Sequence, residues 1–359
     1  RRNSSIVPIR RHLQQMETLP CRSDASTLMK STYGTGRYQT LVLIFVGGLF
    51  AFSFVNITMY VYLAPKISDQ TGFSAEFLDN SQTGVFLGWA VSSIATSPLA
   101  DWYGRRVVTY AMCVGIIVAY TSSVVAATFK SHVGYTVSVF ALGFFVPGTE
   151  VAYVFLSEVL PSESRMKATS GMCITLSLGV MCLAGGCGTL MSSWDWRVTA
   201  LFWYSPFLVL TLLGPYFVDE TLEFLVARGL WSRVEIVGSR IARINGAALP
   251  LIETNDAGHV LTASRTDSST CSCKEIGIRF CSATLAWSAS SLGSFGLSYT
   301  PGNLSSDLYF NGFLQTIFDL VGYALPLKLG PLMGVCRLHR YSFIAAGFFL
   351  MLSNAFPYT

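Results

Sequence analysis

The sequence predicts an all-α membrane protein that crosses the bilayer several times, with one complete six-helix bundle followed by part of a second bundle. Of its 359 residues, 52% are hydrophobic and only 12% are Asp, Glu, Lys or Arg, whereas about 25% of an ordinary soluble domain is charged. The mean hydropathy is +0.49. So few charges could not cover this much apolar surface in water, so the composition excludes a soluble enzyme. The net charge of +4 is small and scattered, which argues against a nucleic acid partner.

Nine apolar runs are long enough for helices that cross the bilayer, each of which needs about 20 residues. They cover residues 39–63, 83–100, 107–129, 133–157, 167–192, 198–217, 277–299, 306–330 and 341–357. The strands of a membrane barrel would be only about 10 residues long and would alternate in polarity. The runs therefore predict helices.

Lys and Arg are distributed unevenly between the two ends of these segments. With the N-terminus in the cytosol, Lys66, Lys130 and Arg197 fall outside, and the other 21 of the 24 basic residues fall inside. Basic residues favour the cytosolic side of a membrane protein. We therefore predict a multi-pass protein of the plasma membrane, with a cytosolic N-terminus and the lipid bilayer as a partner.

The order of the segments predicts four regions. They are a cytosolic tail at 1–38, a six-helix transmembrane bundle at 39–217, a cytosolic loop at 218–275 and a partial second bundle at 276–359. Six helices, a long loop and further helices are the arrangement of carriers that are built from two related halves. Because the second half contains only three predicted helices, we expect the chain to be incomplete at both ends.

A short link between the second and third spans carries the most specific motif. Asp101 ends one predicted helix, Gly104 allows a tight turn, and Arg105 and Arg106 begin the next helix. A carboxylate at this position can pair with the arginines or with helix amides and hold the cytosolic side closed. The pattern D-x-x-G-R-R resembles the signature loop of the major facilitator superfamily. This resemblance implies a major facilitator-type two-bundle fold.

A second motif follows the fourth span, where Glu158, Pro161 and Arg165 form E-x-x-P-x-x-x-R. It resembles the sugar-porter and organic-ion branches of that superfamily. We expect Glu158 and Arg165 to belong to a cytosolic charge network that serves gating rather than substrate contact. The stretch 219–229 after the sixth span matches a further motif of these branches in part, and it retains Glu220.

The region 295–311 resembles the organic cation, organic anion and carnitine transporter family, through its G-L-S, G-N-L and L-Y-F-N elements. Three features depart from that family, one of which is a degraded second signature loop at Gly334-Val335-Cys336-Arg337. The predicted link between the first two spans, 66–83, is short where the family has a large extracellular loop. Val139 stands where the family usually has an Arg, which argues mildly against proton coupling.

Acidic residues inside predicted spans are candidates for substrate binding. Asp319 belongs to a stripe with a spacing of four residues, formed with Asn311, Gln315 and Tyr323. Residues four apart share one helix face, so this face should look toward protein or water. The family resemblance implies a cation-handling acid at the place of Asp319. Glu150 is the second acid of this kind, and a buried structural acid is the alternative for both.

Aromatic and amide side chains add further candidates. Trp287, Phe295 and Tyr299 lie within one broad arc of the predicted seventh span, and aromatic faces bind organic cations. Asn56 lies on a polar face of the first span, with Ser53 and Tyr60. For all of these, packing inside a bundle is the more common explanation.

The sequence has no phosphate-binding glycine loop, no metal-ligand spacing and no catalytic triad. We therefore predict no enzymatic activity, no cofactor and no metal. The preferred function is secondary transport, by alternating access, of small organic ions, namely cations or zwitterions such as carnitine-like compounds. The alternatives are a sugar or polyol carrier of the same superfamily and a non-transporting regulatory membrane protein. The sequence does not predict an oligomeric state.

Overall fold

The computed structural model describes residues 36–247, eight helical residues between 277 and 288, and residues 307–355. This part of the chain consists of helices and short connections. The helices of the first half are α1 (Arg37–Thr71), α2 (Ala75–Tyr103), α3 (Arg105–Thr128), α4 (His132–Val159), α5 (Ser162–Gly188), α6 (Trp196–Phe217), α7 (Leu222–Ala227) and α8 (Trp231–Asn245). Near the end of the chain follow α9 (Leu308–Met333) and α10 (Val335–Ala355).

Six helices of the described residues, α1 to α6, are long and apolar enough to cross a membrane. They correspond to the first six apolar runs, so the predicted six-helix bundle is confirmed as a set of helices. Helices α9 and α10 lie where the eighth and ninth runs were predicted, but they are not among these six helices, so their prediction as spans is not confirmed. Most of the predicted seventh run, 277–299, lies outside the described residues.

The predicted link 66–83 between the first two spans is wrong. Helix α1 continues to Thr71, and α2 begins at Ala75. Gly72 makes the turn with φ of 80°, and the Ser74 hydroxyl caps α2 by accepting from the Phe77 N–H. The apolar run ends earlier than the helix because polar residues such as Asp69 and Gln70 remain helical beyond the hydrocarbon zone.

Helices α2 and α4 cross in backbone contact. A Cβ atom at Gly143 would overlap the backbone oxygen of Val85, and one at Gly88 would overlap the backbone oxygen of Phe140. Only glycine permits this approach, as expected for small residues at helix interfaces in membranes. The crossing fixes the residue that follows Gly88, Trp89, opposite the middle of α4.

Two spans are irregular. Helix α1 contains a π-helical segment, Leu43–Gly47. Helix α4 is divided at Val146 into the halves His132–Phe145 and Pro147–Val159. Pro147 has no N–H to continue the hydrogen-bond ladder. Segments of π-helix and discontinuous spans are frequent at functional sites. These two irregularities therefore indicate a candidate site where Phe50 of α1 and Tyr153 of α4 meet.

The stretch after the sixth span folds against the end of the bundle. In α8, the buried side chains Ile241 and Ala242 pack in one cluster with Tyr38 and Val42 of α1. The Asn245 side chain accepts a hydrogen bond of 2.9 Å from the Tyr38 N–H. Part of the predicted loop is therefore an ordered helical segment that is attached to the start of the first span.

Helix α9 packs along α5 and reaches α1. The rings of Tyr62 and Tyr309 are stacked with centroids 6.1 Å apart, and the Tyr309 hydroxyl donates to the backbone oxygen of Tyr62 over 3.3 Å. A Cβ atom at Gly312 would overlap the Tyr62 hydroxyl. These contacts hold the polar stripe of α9 beside the six-helix bundle.

Candidate functional site

The end of the bundle that carries Arg37, Arg105, Arg106 and Arg165, called here the basic end, contains a charge network. Arg105 pairs with Asp101 over 2.8 Å and with Glu158 over 3.0 Å. The side chain of Asp101 is 65% exposed, whereas those of Arg105 and Glu158 are 15% and 10% exposed. The Thr221 hydroxyl donates to the second oxygen of Glu158. The pair with Glu158 is therefore the sheltered one, and the pair with Asp101 faces water.

Glu220 lies at the amino end of α3. Its carboxylate accepts from the backbone N–H of Arg106 over 3.1 and 3.2 Å, where the helix dipole favours negative charge. Gly104 has φ of 105°, and a Cβ atom there would overlap this carboxylate. The glycine of the motif thus serves both the left-handed turn and the approach of Glu220.

Burial raises the pKa of the Glu220 carboxyl above its usual range, and the nearby charge of Glu158 acts in the same direction. The backbone N–H groups of Thr221 and Arg106 and the charge of Arg105 oppose this shift. Desolvation outweighs them because the carboxyl is largely buried against Gly104 at the start of α3 and is not in open water.

Arg228 joins α7 to the end of α2. Its guanidinium donates to the backbone oxygens of Asp101 and Trp102 over 2.7 and 2.8 Å, which satisfies carbonyl groups at the end of that helix. The ring of Phe224 lies between two guanidinium groups, 5.4 Å from Arg105 and 5.6 Å from Arg228. Cation–π contacts of this kind add to the attachment.

The structure brings together Asp101, Gly104, Arg105, Arg106 and Glu158 from the two predicted motifs. The guanidinium of Arg165, the remaining predicted member, instead donates to the backbone oxygen of Leu160 over 3.2 Å. Sequence reasoning missed four members of the network, namely Glu220, Thr221, Phe224 and Arg228. The partial motif match at 219–229 was the available signal, but it did not indicate which side chains would reach the signature loop.

A second group of side chains consists of Glu150, in the first turn of the second half of α4, and of aromatic residues linked to it directly or through one another. Its carboxylate accepts a hydrogen bond from the indole of Trp89. The Trp89 ring meets Phe54 edge to face at 5.4 Å, and Phe50 meets Tyr153 edge to face at 4.8 Å. Phe50 and Phe54 are themselves 4.8 Å apart. We call Phe50, Phe54, Trp89 and Tyr153 the aromatic cage.

The aromatic cage is linked to the polar stripe of α9. The Tyr153 hydroxyl lies 3.3 Å from the Cys173 sulfur. It is close enough to both Glu150 and Tyr323 to interact with them electrostatically, and Tyr323 interacts in the same way with Asp319. The two acids predicted from the sequence therefore lie on different helices, and each has a tyrosine near it.

The stripe itself runs from buried to exposed. Asn311 is buried, Gln315 and Tyr323 are half-buried, and Asp319 is exposed. Asn56 is fully buried within α1, and among the described residues its amide group has no hydrogen-bond partner. It therefore lies inside the bundle rather than on the surface that carries Glu150.

Three predicted candidates, Trp287, Phe295 and Tyr299, lie outside the described residues. Within the described ranges, no group of three or more His, Cys, Asp or Glu side chains is arranged to hold a metal ion. Among the described residues, the groups available to bind a ligand at the candidate site are therefore carboxylates, aromatic rings and amides.

Comparison with known proteins gives a consistent family signal. The family model "Sugar (and other) transporter" matches residues 2–173. Organic cation/carnitine transporter 2 of Mus musculus is 26% identical over 278 residues, which cover 73% of this chain and 46% of the relative. A beta-alanine transporter of Drosophila melanogaster is 30% identical over 243 residues, which cover 63% of this chain and 39% of the relative. The chain spans less than half the length of these curated relatives.

Among solved structures, the xylose transporter XylE from E. coli, in a partially occluded inward-open conformation, is similar with a TM-score of 0.61. The match covers 83% of this chain and 74% of that one at 14% identity, so it speaks to the fold alone. The described residues thus have the fold of a major facilitator transporter. In sequence the chain is similar, at low identity, to organic cation and carnitine transporters.

Proposed function

We propose that this protein is a secondary transporter that moves small organic cations or zwitterions by alternating access. The observation that carries the proposal is the pair of acids, Glu150 on α4 and Asp319 on α9, which have Tyr153 and Tyr323 respectively near them. Ionisable groups at membrane depth are costly and usually serve function. Two carboxylates beside aromatic rings suit a ligand with a positive charge.

The names of the relatives support the same class. One is described as transporting organic cations and carnitine and another as transporting beta-alanine, and carnitine and beta-alanine each carry a positive and a negative group. The substrate contacts proposed for this chain are Glu150, Asp319, Gln315, Asn311 and Tyr323. Trp287, Phe295, Tyr299 and Asn56 remain candidates from the sequence.

The basic-end network is the proposed gate. Its ion pairs connect the link between α2 and α3 with the end of α4 and with α7, all at the end that the charge distribution predicts to be cytosolic. Opening this end would require Arg105 to leave Glu158 or the whole group to move together. The proposal includes a plasma membrane location with the N-terminus in the cytosol.

A sugar or polyol carrier is the second candidate, because the matching family model is described as a transporter of sugars and others and because the fold resembles a xylose transporter. The discriminating experiment measures uptake of tetraethylammonium, carnitine, beta-alanine and xylose by cells that express the protein. Surface biotinylation corrects for the amount at the cell surface. Wild type is compared with Asp319→Asn and with Phe318→Leu, a change at an exposed neighbouring position.

We expect saturable uptake of a cation or zwitterion that Asp319→Asn lowers at least tenfold and Phe318→Leu leaves intact. Saturable xylose uptake at the same rate in wild type and Asp319→Asn would favour the sugar carrier. Normal surface expression without uptake of any of the four compounds would favour a non-transporting regulatory protein.

A further inference from the structure

We propose that the exposed face of α8 binds the headgroup of an anionic phospholipid at the basic end of the bundle. The face consists of Arg233, Ile236, Arg240 and Arg243 and is called here the arginine face. This inference goes beyond the proposed function, because it concerns the outer surface of the protein and not the substrate pathway. It holds whether or not the protein carries a substrate.

The first argument is the spacing of these residues along the helix. At about 100° per residue, the four positions of the arginine face lie within an arc of about 80°. Arg233 and Arg243 are exposed, Arg240 is half-buried and Ile236 is 69% exposed. The side of α8 that carries Ile241 packs against α1 instead. The arginine face is therefore the side of α8 that is open to a partner.

The second argument is the position of α8 beside the sixth span. Val209, Leu212, Leu213 and Tyr216 lie on one face of α6 and are each at least 45% exposed. The Arg240 guanidinium donates to the backbone oxygen of Tyr216 over 2.6 Å. The arginine face thus begins where this exposed apolar surface ends. Because tyrosine is enriched at the level of the lipid headgroups, we infer that the guanidinium groups lie near the phosphates.

The first span brings a further basic residue to the same level. The Asn245 side chain accepts from the Tyr38 N–H over 2.9 Å, which places the last turn of α8, with Arg243, beside the first turn of α1. Arg37 precedes Tyr38 and is exposed. A phosphate group at this place would therefore meet positive charge from two helices.

The third argument is the charge of the arginine face. Asp219 pairs with Arg240 over 2.8 Å. Within the part of the chain that the structure describes, Arg233 and Arg243 form no ion pair with a carboxylate. Glu235, the single acid in the sequence of α8, lies about 120° from the centre of the arginine face. The described residues thus leave a net positive charge on this face.

An anionic phospholipid matches both parts of this surface. A guanidinium group has several N–H donors in one plane and fits two phosphate oxygens at once. The acyl chains would cover Ile236 and the exposed apolar face of α6. Phosphatidylcholine has the same phosphate, but its choline group cancels the charge, and a soluble phosphate lacks the apolar part. The surface should therefore prefer an anionic lipid to both.

The test measures lipid binding to the purified protein in a neutral detergent. Native mass spectrometry compares dioleoylphosphatidylglycerol, dioleoylphosphatidylcholine and glycerol phosphate. The main variant is the double change Arg233→Gln and Arg243→Gln. Its matched control is Arg337→Gln with Arg340→Gln, which removes the same charge from exposed positions in the first two turns of α10. Ile236→Ser tests the apolar part, and thermal unfolding checks that each variant is folded.

Wild type should bind the anionic lipid at least tenfold more tightly than phosphatidylcholine or glycerol phosphate. The double change at Arg233 and Arg243 should weaken binding of the anionic lipid by tenfold or more, because each arginine near anionic lipid contributes about fivefold in affinity. Ile236→Ser should weaken it about threefold through the lost apolar contact. The double change in α10 should leave it within about twofold of wild type.

Equal affinity of wild type for the two lipids would overturn the inference, even if a variant failed to fold. Equal losses in the two double variants would overturn it as well, since binding would then follow the total charge of the protein and not the arginine face. Binding of glycerol phosphate as tight as that of the anionic lipid would indicate a site for a free anion and would also refute it.

Discussion

At the scale of single residues, Arg105 shows how one side chain can join several helices. It contacts Asp101 on its own link, Glu158 at the end of α4 and the ring of Phe224 in α7. The two carboxylates differ in solvent exposure, and this difference determines how much each ion pair contributes to the free energy of unfolding. An ion pair in water contributes about 0–1 kcal/mol, whereas loss of one partner from a buried pair costs several times more.

We therefore predict that Glu158→Gln destabilises the purified protein by about 2–3 kcal/mol, because Arg105 loses its sheltered partner. Asp101→Asn, on the same arginine, should cost less than about 1 kcal/mol. Chemical denaturation in detergent measures both. Equal losses in the two variants would show that exposure does not determine the strength of these pairs.

A second prediction concerns pH and Glu220. Because burial raises its pKa in the folded protein, the folded state holds its proton more tightly than the unfolded state does. The contribution of Glu220 to stability is therefore greatest below the pKa of an unfolded Glu, near about 4.3, and declines as pH rises through the higher folded value.

The measurement is the melting temperature of wild type and of Glu220→Gln across that range. The advantage of wild type over the variant should shrink with rising pH and then level off. An advantage that grows with pH would mean that the helix dipole and the Arg106 N–H outweigh burial.

At the scale of the helices, the crossing of α2 and α4 positions the candidate site. Gly143 and Gly88 bring the two backbones together, and Trp89 then reaches Glu150 across the gap. In the sequence of α2, small residues recur every four positions, at Gly84, Gly88, Ser92 and Thr96, and such a repeat is typical of a close helix contact. It did not indicate the partner helix, because many spans carry such residues.

We predict that Gly143→Ala destabilises the protein by about 1–3 kcal/mol, because the new methyl group must separate the helices. Gly84→Ala is the matched control, since a Cβ atom there meets its nearest neighbour at 3.9 Å. Both changes gain the same helix propensity, so the difference between their melting temperatures isolates the contact. A similar effect at both positions would contradict the crossing.

The sequence was a good guide to the helices and an incomplete guide to the site. Hydropathy located α1 to α6 because each apolar run must satisfy its backbone internally in lipid. It misplaced the end of α1, since Asp69 and Gln70 stay helical beyond the apolar run. Glu150 could be recognised as an acid within a span, but Trp89 could not, because an aromatic residue in an apolar run gives no sign of its tertiary partner.

At the scale of the whole molecule, the charge asymmetry follows the alternation of the helices. Arg105, Arg106, Arg228 and Arg240 gather at the basic end, and at the other end Arg197 donates to the Thr128 hydroxyl and Lys66 to the backbone oxygen of Met191. The path of the chain through α1 to α6 accounts for this separation.

We predict that a cysteine at Ser74, in the turn between α1 and α2, reacts with an impermeant maleimide on intact cells. A cysteine at Gly229, between α7 and α8, should react only after permeabilisation, because positive charge favours the cytosolic side. The experiment uses a background without reactive native thiols. Labelling of the cysteine at position 229 on intact cells would show that the orientation is the opposite of the predicted one.

The attachment of α8 also determines where motion can begin. Arg240 pairs with Asp219 over 2.8 Å, the Asp219 N–H donates to the Tyr38 hydroxyl, and Asn245 holds the first turn of α1. Helix α8 thus contacts both the start of α1 and the residues that follow the end of α6. We expect the first six spans and α8 to move as one rigid unit that extends as far as Gly246, almost thirty residues beyond the end of α6.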